Sequence, residues 1–227
     1  MRLTLTLPEH SGGYGAGAGI RKLALALALL LAGAGAAAAE VRILAFGDSL
    51  TQGFGLPEDE GFVPQLQAWL RANGAPDAVV INAGVSGDTT AGGLARIDWA
   101  LGEDPDAVIV ELGANDMLRG VDPAIPRKNL DAMIARLKER DIAVLLAGMV
   151  AAPNLGREYG AAFDAIYPDL ARKHGLRLYP FFLEGVATDA SLLLADGIHP
   201  NASGVARMVE GILPTVEEML PAEASTQ

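Results

Sequence analysis

Five short apolar runs recur along the chain, at residues 41–46, 78–82, 107–112, 142–149 and 176–179. All but the last are nearly continuous in apolar residues, the pattern of strands buried on both faces rather than of half-exposed strands. Between them the apolar positions change period. Phe62, Leu66, Trp69 and Leu70 fall on one face at helical spacing, as do Leu130, Met133, Ile134 and Leu137. Phe163, Ile166, Tyr167 and Leu170 repeat the spacing as one helix, and Val205, Met208, Val209, Ile212 and Val216 form the last stripe. Strand and helix in alternation predict right-handed crossovers onto a parallel sheet covered on both sides. In such sheets ligands bind beyond the carboxyl ends of the strands, so chemistry is expected just after them.

The first 39 residues do not belong to this alternation. Arg21 and Lys22 precede an apolar run at 23–31, and an alanine-rich stretch ends in Ala37, Ala38 and Ala39. A basic flank, a short apolar segment and a small-residue exit are the layout of a secretory signal peptide. The reading is therefore a leader over 1–39, cleaved before Glu40, and one domain over 40–227 that is periplasmic or secreted. The apolar run is short for a membrane span, so no stable membrane insertion of the mature form is expected. The glycine rhythm at Gly15, Gly17 and Gly19 follows no strand and is not read as a nucleotide loop.

Composition narrows the chemistry. The chain has 227 residues, enough for one domain with a sizeable core, and no cysteine, which excludes disulfides, thiolate metal ligands and a cysteine nucleophile. With three histidines, at 10, 174 and 199, a histidine-rich metal centre is not expected. The formal charge is −11. Losing the leader removes Arg2, Arg21, Lys22 and Glu9, which leaves 14 basic and 27 acidic residues and a charge of −13. Such a surface repels phosphates, and nucleic acid is excluded as a partner.

The chemistry-bearing residues lie where the fold requires them. The first strand runs into Gly47-Asp48-Ser49, which presents a hydroxyl at a strand-to-helix turn; a capping Asp or Ser is the ordinary alternative there. The second runs into Asn82-Ala-Gly84-Val-Ser86-Gly87-Asp88, a loop whose glycines bring backbone amides close to a ligand or simply make a flexible turn. The third runs into Gly113-Ala114-Asn115-Asp116, and Asn115 has a side-chain amide to offer. Asp196-Gly197-Ile198-His199 precedes the last helix. A serine hydroxyl needs a neighbouring base, and His199 is the one good candidate. Asp196 is placed to fix its tautomer. His174 closes a helix before Gly175, where a cation suits the helix dipole, and carries no chemistry in this reading.

Together the segments resemble the motif blocks of the SGNH (GDSL) hydrolases, in that family's order. Ser49 matches the block I serine, Gly87 the block II glycine, Asn115 the block III asparagine, and Asp196 with His199 block V. Ser86-Gly-Asp-Thr, Gly93-Leu-Ala-Arg96, Val110-Glu-Leu-Gly113 and Pro180-Phe-Phe182 are similar to the bacterial periplasmic thioesterase I, lysophospholipase and arylesterase subgroup. Ala114 stands where close relatives often have a second glycine. The resemblance spans residues 41–218 and implies a flavodoxin-like, three-layer α/β/α sandwich around a five-stranded parallel sheet. It also implies no cofactor, a catalytic triad of Ser49, Asp196 and His199, and an oxyanion hole from Ser49, Gly87 and Asn115. Expected substrates are small acyl esters and thioesters: aryl esters, acyl-CoA and lysophospholipids. The alternatives are a carbohydrate O-acetylesterase on the same scaffold and a non-catalytic lipid-binding protein. A monomer is expected.

Overall fold

The computed structural model describes residues 40–220; the leader expected over 1–39 lies outside them. Five parallel strands form one sheet: β1 (Arg42–Gly47), β2 (Val79–Gly84), β3 (Ala107–Glu111), β4 (Ala143–Ala147) and β5 (Arg177–Tyr179). Their order is β2-β1-β3-β4-β5. The order decides where the helices go. The connection from β1 to β2 runs one way across the sheet, and every later crossover runs the other way, so right-handed crossovers place their helices on opposite faces. Accordingly α2 (Phe62–Ala72) packs with the last helix, α8 (Ala202–Glu217), while α3 (Thr90–Ala100), α5 (Ala124–Lys138) and α7 (Ile166–His174) pack side by side. This is the predicted three-layer sandwich, and the strand order is that of flavodoxin-like sheets.

The central strands behave as their composition requires. β3 is buried throughout and β1 nearly so, with Ile43, Leu44, Phe46, Val108 and Val110 at zero exposure. The edge strand β2 departs from the expectation of burial on both faces. It is half-exposed, because it has a neighbour on one side only. It also extends to Gly84, pairing in register with Gly47 of β1.

The stripe from Phe163 to Leu170 belongs to two helices, α6 (Arg157–Asp164) and α7, rather than one. The physical cause is Pro168. It has no N–H for the carbonyl of Asp164, and its ring crowds that carbonyl, so the helix is interrupted there. Phe163, Ile166, Tyr167 and Leu170 still face the core.

The sheet reverses its winding direction at β1, next to β3. The turns after these two strands continue into short helices, α1 (Ser49–Gln52) and α4 (Ala114–Leu118). The crevice between the carboxyl ends of β1 and β3 is the position where open α/β sheets take their ligands.

Candidate active site

Ser49 is the first residue of α1, with Asp48 as the N-cap accepting from Leu50 N at 3.0 Å. The strand-to-helix turn is tight because of close approach. Gly47 lies in β1 beside Glu111, and a side chain there would run into the Thr51 hydroxyl and the Glu111 carboxylate. The role of this glycine is spatial.

Ser49 Oγ lies 2.9 Å from Nε2 of His199, across 150 residues of chain. Nδ1 of the same ring is 2.7 Å from Asp196 Oδ2. A carboxylate only accepts, so the Nδ1 proton is donated to Asp196, and Nε2 is left as the acceptor for the serine hydroxyl. The other oxygen of Asp196 accepts from the N–H groups of Ile198 at 2.9 Å and His199 at 3.0 Å. These two backbone donors, followed by the imidazole, hold the Asp196 carboxyl down to about 2. The loop is steadied by Leu194 N donating to His199 O at 2.7 Å and by an antiparallel bridge between Leu193 and Pro200. Phe54 covers the imidazole, with ring centroids 4.5 Å apart.

Three residues with unspent donors line the same cavity. Among the described residues no acceptor takes the N–H of Ser49 or of Gly87. Gly87 has a φ of +78°, a conformation that favours glycine, and its carbonyl accepts from Arg119 at 2.8 Å. Gly84, the other glycine of this loop, donates to Asn82 Oδ1 at 2.9 Å and packs against the backbone of α1. Its N–H is therefore already engaged. Asn115 Nδ2 donates to Asp48 Oδ2 at 3.0 Å and keeps a second hydrogen. Ala114 begins α4, so the position has ordinary helical backbone and needs no second glycine.

The cavity holds about 250 Å³ and is lined by Ser49, Gly87, Asn115 and His199, with Phe54, Met117, Leu118, Met149, Leu183 and Ile198 as apolar walls. Met117, Met149, Leu183 and Ile198 also line a neighbouring cavity of about 400 Å³ bounded by Pro153, Phe181 and Leu193. His174 lies away from this cluster, bonded to Asp131 at 2.6 Å at the end of α7.

Several residues to which the sequence motifs assign no role hold the site together. Arg96 stacks on Phe46 and donates to Asp88 at 2.7 Å and to the carbonyls of Ala83 and Gly47 at 2.9 Å each. Asp116 is buried and accepts from Thr90 N and Thr90 Oγ1, which fastens the start of α3 to α4. Glu111 is buried below Ser49. Its signal in the sequence is a carboxylate at the end of an otherwise apolar strand.

A hydroxyl, an imidazole and a carboxylate in one hydrogen-bonded line, at the switch point of a flavodoxin-like sheet, are the constellation of a serine hydrolase. The chain belongs to the GDSL-like lipase/acylhydrolase family, whose model matches residues 45–207. It is 41% identical to Esterase TesA of Pseudomonas aeruginosa over 179 residues, 78% of this chain and 89% of the relative. It is 38% identical over 160 residues to the Thioesterase 1/protease 1/lysophospholipase L1 of Escherichia coli K12, covering 70% of this chain and 75% of that one. Among solved structures it resembles AlinE4, an SGNH-hydrolase family esterase, with a TM-score of 0.69 and 47% identity over 82% of this chain and all of the other.

Proposed function

We propose that the chain is an exported esterase that hydrolyses carboxylic esters and thioesters through a Ser49 acyl-enzyme. The reading is carried by the continuous hydrogen-bonded line Ser49–His199–Asp196, opening onto a cavity with apolar walls. His199 takes the Ser49 proton as Oγ attacks the carbonyl, and Asp196 stabilises the resulting imidazolium. The N–H groups of Ser49 and Gly87 and the Asn115 amide receive the oxyanion. Collapse expels the alcohol or thiol, protonated by His199, and a water activated by the same base releases the acid.

The oxyanion donors grip the carbonyl oxygen that esters and thioesters share, so selectivity falls on the acyl side. The apolar walls from Phe54 to Ile198 suit an acyl chain, and the neighbouring cavity beyond Met117 and Leu183 extends the path. This lining favours acyl esters over acetylated sugars as substrates. Residues 40–227 form the mature, monomeric enzyme, released before Glu40 into the periplasm or medium. Among the described residues no helix is long and apolar enough to cross a membrane.

The test is labelling with a fluorophosphonate, followed by rates on p-nitrophenyl esters and acyl-CoAs of graded length. Labelling at Ser49 with turnover of both ester classes is the expected result. No labelling, or turnover restricted to acetyl groups on sugars, overturns the reading. N-terminal sequencing of protein from its host tests the cleavage before Glu40.

A further inference from the structure

Two carboxyl side chains below Ser49 take no part in the line from Ser49 to Asp196. Asp48 and Glu111 are each about 1% exposed. Glu111 ends β3, in register with Gly47. Its Oε2 accepts from Thr51 Oγ1 at 2.8 Å and from Asp48 N at 3.3 Å, but its Oε1 is buried without any donor. Asp48 is better served, with Oδ1 accepting from Leu50 N and Oδ2 from Asn115 Nδ2, each at 3.0 Å. Among the described residues no lysine or arginine hydrogen-bonds or pairs with either carboxyl group. Arg96 spends its donors on Asp88, Ala83 O and Gly47 O. From α7 the Tyr167 hydroxyl donates to Leu112 O, and from α4 Asp116 is occupied by Thr90. His199 is the remaining ionisable neighbour, and its ring nitrogens are engaged by Ser49 and Asp196.

Two ionised carboxylates in this environment would repel each other where water cannot screen them, and one oxygen would be a bare buried anion. A proton on Glu111 Oε1 removes both problems. It turns the orphaned acceptor into a donor beside Asp48, whose N–H already bonds Glu111 Oε2 at 3.3 Å. We propose that Asp48 and Glu111 share a single proton, carried on Glu111 and donated to Asp48, and that the pair positions the Asn115 amide for the oxyanion. Asp48 then accepts from three donors, and one of them is Nδ2 of Asn115. That bond fixes which end of the amide faces Asp48 and leaves the second Nδ2 hydrogen for the substrate oxygen. Burial drives both carboxyls upward, Glu111 well above the ordinary range, and Asp48 is the better-served anion because Leu50 N and Asn115 Nδ2 both donate to it.

The positioning role rests on the proposed esterase reading; the shared proton does not. Infrared spectroscopy at about pH 8, where ordinary carboxyls are ionised, should reveal a protonated carboxyl band in the native protein and in Ser49→Ala. The band should vanish in Glu111→Gln. Kinetics test the rest. Glu111→Leu, which lacks the donor, should lower kcat with little change in KM, by up to the roughly 10²–10³-fold that loss of one oxyanion donor costs. Glu111→Gln supplies a donor and an acceptor of the same shape and should restore most of that kcat. If Glu111→Leu does not fold, Asp48→Asn, which keeps the shape and removes the charge, should show the same fall in kcat at constant KM. Absence of the band in the native protein, or a Glu111→Gln variant that folds normally yet loses turnover as Glu111→Leu does, overturns the proposal. Failure of the native enzyme to react with a fluorophosphonate, with the band present, would count against the esterase reading alone.

Discussion

Arg96 donates to the carbonyl of Gly47 at 2.9 Å, two residues before the proposed nucleophile. Its remaining donors hold Ala83 O and Asp88, so one guanidinium ties the ends of β1 and β2 to the loop carrying Gly87. Lysine has a single ammonium and cannot reproduce this fork. The side chain is 19% exposed and that of Asp88 11%, so Arg96→Met leaves an unpaired, mostly buried carboxylate. Removing one partner of such a pair costs on the order of 3 kcal/mol. Urea unfolding should register a loss of that order, and Arg96→Lys should retain less kcat than thermal stability.

Ser49→Ala should leave the fold intact and reduce hydrolysis of p-nitrophenyl butyrate by on the order of 10⁶-fold. Only an oxygen at the head of α1 is removed, so circular dichroism and the thermal midpoint should match the native protein. Retained turnover would place the nucleophile elsewhere.

Asp196→Asn should lower kcat by roughly 10²–10⁴-fold with a small change in KM, because the amide no longer fixes the Nδ1 proton. The Asp196 carboxyl is held down to about 2, so it remains ionised across the working range. Its contribution to stability is present above the ordinary carboxylate range and disappears only as pH falls through about 2. Protonation of Asp196 should therefore leave no mark on the acid limb of the pH–rate profile.

Chain length should matter on the acyl side. Each methylene buried along the cavity is worth up to about 0.8 kcal/mol, or roughly fourfold in kcat/KM if the contact tightens in the transition state. A rise from acetyl to butyryl and longer chains, followed by a plateau, is expected. Leu118 and Ile198 are both about half-exposed walls of the cavity. Leu118→Ser should weaken the preference near the carbonyl, whereas Ile198→Ala, at the junction of the two cavities, should shorten the preferred chain.

Alkaline stability should depend on Glu111. A buried carboxyl whose folded-state value is raised binds its proton more tightly when folded than when unfolded. The folded state then holds the extra proton above the ordinary glutamate range, and stability falls as pH rises through that window. Urea midpoints across neutral and alkaline pH should decline in the native protein and decline less in Glu111→Gln. Equal slopes would mean that Glu111 is ionised when folded.

The residues explain why some of this was readable in the sequence and some was not. The strands are legible because the central ones are apolar without interruption, and Ser49, Gly87 and Asn115 are legible because each follows a strand. By contrast, α3 is hidden from hydrophobic periodicity. It buries Thr90, Gly93, Ile97 and Ala100, and Gly93 is needed because a larger side chain would strike Leu112. The division between α6 and α7 lies within an unbroken apolar stripe and is marked only by Pro168. Glu111 is visible as an oddity, but its role depends on register with Gly47, and periodicity carries no information on register. The apolar walls Met149, Leu183 and Ile198 come from three separate loops and share no spacing.

The separation of Ser49 from His199 along the chain also has a meaning for biosynthesis. The oxygen and its base come from opposite ends of the domain, and the loop that carries the base is followed by α8, which closes the face against α2. A nascent chain emerging from the ribosome can form β1 to β4 and still lack a base. On the proposed mechanism, a chain that has not yet emerged as far as His199 has its serine without a base and does not turn over substrate.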